Sequence, residues 1–311
     1  MQVVHGYRNV PAAARGAVLA IGNFDGVHRG HQALLRAASA IGRELGAPAG
    51  ALIFEPHPRE FFHPEEPHFH LTPLSQKLAI FERLGLDLAV VLPFDAELAA
   101  LSADDFITRV LVDGLGARHV VIGHDFFFGK NRGGTPETMQ AASARAGFGL
   151  TIISPVAEDG EVFSSSVIRL RLAQGDVKGA ARLLGRTWRV HGNVVGGAKR
   201  GSGLGFPTAN IPLPRGTALG HGIYAVRVHV DGAQHDGAAY LGTRPTYDDG
   251  MPVLEVFLFD FDGDLYGREI EVEFVDFIRA DRRFDSTEAL IAQMQIDCAR
   301  ARQLLAADGA P

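Results

Sequence analysis

Cysteine is almost absent from this chain of 311 residues: Cys298 stands alone. A single thiol excludes internal disulfides and any multi-thiolate metal centre. Leu290, Met294, Ala301 and Leu305 recur around it at helical spacing, so it reads as a small buried hydrophobe. Long apolar runs are missing too, none reaching the ~18 residues that a membrane helix needs. The opening MQVVHGYRNV has neither the basic nor the apolar region of a secretory signal, which makes a cytoplasmic protein without membrane partners the expectation. Positive charge is not in excess. With a formal net charge of −6, the chain lacks the broad basic surface that grips nucleic acid, and small anionic molecules in local pockets fit it better. What is present is ordinary globular composition, 46% hydrophobic and 21% charged, over a length that suits two domains.

The two halves differ in period. Up to about Leu184, short β-rich runs (17–21, 51–54, 88–92, 119–122 and 150–153) alternate with helical segments. Leu34, Leu35, Ala38, Ile41 and Leu45 form one helical stripe, Ser102–Asp105 has a capping pattern, and Pro136 sits where a first helical turn tolerates it. Strand and helix in alternation predict a parallel sheet covered on both faces. From Trp188 onward the runs WRVHGNVV, GIYAVRVHV, HDGAAYLG, VLEVFLFD and EIEVEFVDFI are strands separated by turn residues, which predicts a small antiparallel β-barrel. A last helix begins near Ser286, and a helical segment, Asp176–Leu184, joins the halves without a flexible linker. The division falls at 1–183 and 184–311.

Chemistry enters at GNFDGVHRGH, Gly22–His31, between the first of those strands and its helix. In a chain of this composition H-x-G-H is expected about 0.06 times by chance. The loop after the first strand of an α/β sheet is where ligands bind, and a helix N-terminus favours phosphate. Gly22, Gly26 and Gly30 allow close backbone approach there. Asp25 has three readings: capping the turn, holding a ribose, or holding a histidine. Further on, SSSVIR at Ser164–Arg169 sets hydroxyls at a helix start with an arginine one turn later, either as an N-cap or as a second phosphate clamp. Together these parts suit nucleotidyl transfer, which needs positioning and positive charge but no covalent nucleophile on the protein.

GNFDGVHRGHQ, FEPHP at Phe54–Pro58, GHDFFFGKNRGG at Gly123–Gly134 and SSSVIR occur in this order in the bacterial bifunctional riboflavin kinase/FMN adenylyltransferase (FAD synthetase) family, which the sequence closely resembles. The resemblance implies a Rossmann-like nucleotidyltransferase domain that joins AMP from ATP to FMN and releases pyrophosphate. On that basis His28 and His31 hold ATP phosphates, Ser165, Ser166 and Arg169 close over them, and Asp125 lies near the substrates. Gly22, Phe24, Asp25 and Gly26 belong to the same binding loop. Ser166 stands where the family often has threonine, a change that keeps the hydroxyl. The segment EPHPREFFHPEEPHFH carries His57, His63, His68 and His70 at spacings that offer no helical metal pair, so it reads as a mobile loop beside the site. Its Phe61 and Phe62 either stack on a flavin or simply pack.

In the second half, Gly196–Gly205 carries five glycines but matches neither the P-loop nor the dinucleotide fingerprint. Lys199 and Gly205 are candidates for nucleotide contact. The family carries GFPTAN at this place, which implies that Thr208 coordinates Mg²⁺ with ATP phosphates and that Asn210 assists; both offer the hard oxygen ligands Mg²⁺ prefers. A kinase acting on a primary alcohol benefits from a carboxylate that accepts the hydroxyl proton. Glu255 in LEVFLFD is the candidate, flanked by Gly242 and Arg244–Thr246 upstream and Asp264–Gly267 downstream as in the family; the alternative is an exposed position on a barrel strand. Arg279 matches an arginine that closes over flavin or nucleotide. Ser202 replaces a usual arginine and Asp281 a usual glutamate. ATP, riboflavin, FMN and FAD are the small-molecule partners implied, with Mg²⁺ at each site.

Overall fold

The structure, a computed structural model, describes residues 1–158, 160–196, 206–243 and 252–308. Lys199, Arg200, Ser202, Gly205 and Arg244–Thr246 lie outside the described residues. The chain forms two compact units, Met1–Ser165 and Ser166–Pro311.

In the first unit β1 (Gln2–His5), β2 (Val18–Ile21), β3 (Ala49–Glu55), β4 (Leu88–Pro93), β5 (His119–Gly123) and β6 (Gly149–Ile153) make one parallel sheet in the order β1-β4-β3-β2-β5-β6. Alternation along the strands gives each face its own core. Leu19, Ile21, Val90, Leu92 and Ile122 fill one side, and Val18, Ala20, Ile53, Val91 and Val121 the other. Such two-sided burial is what near-continuous apolar strands require. Counted from β2, the order is 3-2-1-4-5 with β1 added at the edge, the doubly wound arrangement. All five strands read from sequence are present; β1 adds a sixth that a four-residue edge segment did not announce.

The helices of this unit are α1 (Arg29–Leu45), α2 (Pro58–Phe62), α3 (Leu74–Arg83), α4 (Ala96–Ala100), α5 (Ala103–Asp105) and α6 (Pro136–Ala146). The stripe of α1 buries Leu35 and Ala38, with Leu34, Ile41 and Leu45 packed beside them. The Ser102 hydroxyl accepts from the Asp105 N–H at 3.0 Å and starts α5, which passes directly into π-helical turns over Phe106–Gly114. Thr135 caps α6 and Pro136 opens it. A short hairpin, β7 (Ala157–Glu158) and β8 (Glu161–Val162), follows the sheet.

The second unit contains α7 (Ser165–Ala173, all but its first residue), α8 (Val177–Leu184), β9 (Trp188–Asn193), β10 (Ala209–Pro212), β11 (Gly222–Val230), β12 (Ala233–Thr243), β13 (Pro252–Leu258), β14 (Glu269–Ala280) and α9 (Thr287–Asp308). The strands are antiparallel in the order β10-β13-β12-β11-β14-β9, and a bridge from the Val195 N–H to the Asn210 carbonyl at 2.9 Å nearly closes the barrel. Asp176 caps α8, and Lys178 pairs with Asp276 of β14 at 2.7 Å. Outside the barrel, Ala301 and Leu305 of α9 pack on Ala225, Ala238 and Val275. Cys298 is partly buried against the same cluster, and burial pushes its thiol up to about 11, the behaviour of an inert packed thiol.

Candidate active sites

Between β2 and β5 the strand order reverses, and the crevice at the carboxyl ends of these strands is where a doubly wound sheet binds ligands. Gly22–His28 leaves β2 at that point, and the 123–134 loop leaves β5. The first loop is tightly wound: Phe24 and Val27 take positive φ (+49° and +40°) although both are wholly buried, and Gly26 supplies φ +83°. A non-glycine β-branched residue in that region is an uncommon conformation held by its surroundings, as at many ligand sites.

The two histidines meet. His28 caps α1, its Nδ1 accepting the His31 N–H at 3.3 Å, and the two rings stack with centroids 3.6 Å apart. Phe24 meets the other side of His31 edge-on at 5.2 Å. Gly30 gives the ring room: an added Cβ would stand 3.1 Å from the His28 ring, a tight contact that the ring would have to yield to. Burial, then the neighbouring His28 and Lys77, pushes the pKa of His31 well below the ordinary histidine value, so it is neutral at physiological pH. The His31 Nδ1 and the Asn23 Oδ1 are buried polar atoms without hydrogen-bond partners.

Asp25 makes a long-range contact that none of its three readings named. Its carboxylate accepts the buried Leu71 and Thr72 N–H groups at 3.2 and 3.1 Å and so fastens the loop to the segment before α3. Ser165 joins from the far side, donating its hydroxyl to the Asp25 carbonyl at 2.8 Å. Arg29 pairs with Glu158 of the β7–β8 hairpin at 2.7 Å and lies over the Phe163 ring. On α7, Ser166 is exposed and Arg169 half-buried. Asp125 is exposed at the end of β5, 3.9 Å from His124 Nδ1. Beyond it Phe126 and Phe128 stack at 5.3 Å, and Arg132 covers the exposed Phe127.

The histidine-rich segment folds back beside this loop. His57 caps α2 and stacks on His68 at 4.4 Å, while His70 meets Glu60 at 2.8 Å. Burial and then His68 push His57 down to about 4, His70 and Lys77 adding and Asp25 opposing. His63 stands apart, near Glu66. Among the described residues no group of histidine, cysteine, aspartate or glutamate side chains has a metal-holding arrangement. Phe61 packs on Phe94 at 5.4 Å, whereas Phe62 is 59% exposed. Sequence reasoning missed Lys77, since a lysine on an amphipathic helix reads as solvated; here it is only 3% exposed.

The second site assembles from pairing register. Asn210 on β10 is paired with Glu255 on β13, Glu255 with Tyr240 on β12, Tyr240 with Ile223 on β11, and Ile223 with Arg279 on β14. Directly paired residues share a face, so residues scattered over some 70 positions stand in one cross-strand row. Leu254 and Val256 are buried on the opposite face, and Glu255 is half-buried, neither sealed in an apolar strand nor fully exposed. Thr208 directly precedes β10, two residues before Asn210, whose side-chain amide donates to the Thr208 carbonyl at 3.4 Å. Thr208 also lines a cavity of about 140 Å³ with Val194, Pro207, Phe261, Asp264 and Tyr266.

At the other end of the row, Arg279 is clamped. Its Nε and second guanidinium nitrogen donate to both oxygens of buried Asp297 on α9, at 2.7–3.1 Å, and Gln293 donates to the same carboxylate at 2.8 Å. Tyr240 donates its hydroxyl to Asp281 at 3.1 Å, so the shorter carboxylate reaches a partner on the row. Asp297 and Tyr240 escaped the sequence reading because neither lies in a local motif.

Comparison with known proteins gives matching results for both units. A family model described as FAD synthetase matches residues 10–167, and one described as riboflavin kinase matches 184–305. A bifunctional riboflavin kinase/FMN adenylyltransferase of Pseudomonas fluorescens is 44% identical over 307 residues, covering 98% of each chain. One from Bacillus subtilis is 35% identical over 303 residues, covering 96% of this chain and 95% of the relative. Among solved structures, one described as a macrolide-efflux protein from Streptococcus pneumoniae superposes with a TM-score of 0.84 at 28% identity, covering 96% of this chain and 97% of that one. Among the described residues no helix is long and apolar enough to cross a membrane.

Proposed function

The chain belongs to the bifunctional riboflavin kinase/FMN adenylyltransferase family, and from that premise we propose how its residues divide the two reactions. It phosphorylates riboflavin with ATP to give FMN and adenylylates FMN with a second ATP to give FAD and pyrophosphate. The observation that carries the division is that the barrel holds the cross-strand row while the parallel sheet holds the paired histidines at its switch point.

In the kinase step, Glu255 accepts the proton of the terminal ribityl hydroxyl as that oxygen attacks the γ-phosphorus, and ADP leaves. Thr208 and Asn210 would hold Mg²⁺ with the ATP phosphates, and Lys199 and Gly205 are further candidates for nucleotide contact. The hydroxyl and amide oxygens of Thr208 and Asn210 are hard donors, and Thr208 borders a cavity, which suits that ion. When bound, a divalent cation neutralises developing phosphate charge. Arg279, pre-set by Asp297, closes over flavin or nucleotide.

In the adenylyl step, an FMN phosphate oxygen attacks the ATP α-phosphorus and pyrophosphate departs. His28 and His31 hold the phosphates, His31 as an uncharged donor. Ser166 and Arg169 donate to the departing pyrophosphate, where preorganised donors lower the barrier most, and Ser165, its hydroxyl given to the Asp25 carbonyl, closes over the phosphates with them. Gly22, Phe24, Asp25 and Gly26 shape the loop, and Asp125 lies near the substrates. The functional division is 1–183 for adenylyl transfer and 184–311 for phosphorylation. A single cysteine and small anionic substrates suit a cytoplasmic enzyme.

Incubation with riboflavin, ATP and Mg²⁺, followed by chromatography, tests the reading. FMN should appear first and FAD second. A nucleotidyltransferase for another phosphorylated substrate would make no flavin nucleotide, and a flavin reservoir would bind riboflavin while leaving ATP unconsumed.

A further inference from the structure

Lysine heads ordinarily reach for water while their stems cover apolar surface. Lys77 does the reverse. It is 3% exposed on the inner face of α3, between Ile80 and Phe81 of the core on one side and the Gly22–His31 loop on the other. Its ammonium donates to the Asn23 carbonyl at 2.9 Å, and among the described residues that is its hydrogen-bond partner, one acceptor for three donors. A buried cation that pays so much desolvation for one backbone contact is poorly explained as packing.

Its surroundings supply the explanation. The loop that Lys77 holds carries two buried polar atoms without partners, Asn23 Oδ1 and His31 Nδ1, within a conformation wound through positive φ at Phe24 and Val27. Native interiors leave few such atoms unsatisfied, and a catalytic role or an absent ion or water is among the explanations of those that remain. Asp25, Glu55 and Glu60 surround Lys77 with negative charge, from the loop, from β3 and from α2; His28, His57, His68 and His70 are further titratable groups of this neighbourhood, His28 beside His31, His68 on His57 and His70 on Glu60.

Resting on the adenylyltransferase reading, we propose that Lys77 is a positioning residue of adenylyl transfer: through Asn23 it fixes the loop that carries His28 and His31, and it sets a fixed positive charge behind that loop. A cation beside an imidazole disfavours a second proton on the ring, so His31 meets the triphosphate with its donor already in place and no proton to shed. Burial lowers the lysine's own pKa, and the three carboxylates oppose that loss and keep the charge available.

The test uses the full chain and its two activities. Lys77→Met keeps the stem and removes the charge and the donor. FAD formation from supplied FMN should fall in kcat by about tenfold or more, the loss typical of slightly misplaced catalytic groups, with KM for ATP changing less. The acid limb of its pH profile should move to higher pH, because His31 loses a repelling neighbour. Lys77→Arg, which keeps the charge in a different shape, should hold the acid limb at its wild-type position and recover part of kcat. Circular dichroism and a thermal melt of the same preparations report whether each variant is folded, and riboflavin phosphorylation serves as the internal reference activity. Should Lys77→Met fail that control, Lys77→Arg alone decides: an acid limb displaced as pH falls, despite retained charge, overturns the proposal. So does a Lys77→Met enzyme with wild-type kcat and an unmoved limb. If wild-type protein itself makes no FAD from FMN and ATP, the underlying reading fails instead.

Discussion

Removing the Asp25 carboxylate asks whether the phosphate loop is held by long-range hydrogen bonds or only by its own turns. In the native fold the two oxygens accept from Leu71 and Thr72, whose residues are 1% and 0% exposed, so water cannot replace the lost partner. Leaving one buried N–H unsatisfied costs about 1–3 kcal/mol. Asp25→Ala therefore destabilises this corner by about 2–6 kcal/mol, while Asp25→Asn, with one acceptor oxygen left, costs about half as much. At about 1.4 kcal/mol per tenfold, amide exchange at residues 71 and 72 should accelerate at least about thirtyfold in the alanine variant, and less in the asparagine variant. Loop disorder should follow through to function, with FAD formation falling and riboflavin phosphorylation unchanged. Amides 71 and 72 exchanging at wild-type rates in Asp25→Ala, or equal effects of the two substitutions, would refute the reasoning.

Two further outcomes follow from the barrel unit. Asp297→Ala leaves the Arg279 guanidinium without its bidentate partner, so KM in the kinase step should rise about tenfold while the adenylyl step is untouched; steady-state kinetics of both steps on one preparation decide, and unchanged kinase KM would show that Arg279 needs no clamp. Glu273 is held below the ordinary glutamate value: burial pushes its pKa up, but the Thr187 hydroxyl, the Arg189 charge and His229 together outweigh that. A depressed carboxylate contributes stability above its unfolded pKa of about 4.3 and loses it as pH falls through the folded value. Melting temperatures from pH 6 to pH 3 should therefore drop more steeply in wild type than in Glu273→Gln, and parallel curves would contradict the assignment.

Local pattern carried much of this fold and little of its assembly. Strands such as Leu88–Leu92 were legible because parallel-sheet strands are buried on both faces and read as unbroken apolar runs. Helix starts at Ser102, Pro136 and Ser286 were legible because capping is chemistry within three residues; Ser286 accepts the Ala289 N–H at 3.1 Å. The edge strand Gln2–His5 and the two-residue strands of the β7–β8 hairpin are too short for any period to show. In the sites, the histidine pair was visible because its partners are three residues apart. Lys77 to Asn23, Asp25 to Thr72 and Arg279 to Asp297 join positions 18 to 54 residues distant, and only tertiary packing brings them together. The row from Asn210 to Arg279 depends on strand register, which no single segment encodes.

The central claim is that residues 1–183 perform one step and residues 184–311 the other, and product analysis of two variants tests it most directly. With riboflavin, ATP and Mg²⁺ supplied, Glu255→Ala should make no FMN yet still convert added FMN to FAD, whereas His31→Ala should accumulate FMN and make no FAD. Loss of both activities in either variant, or of the opposite one, would contradict the account.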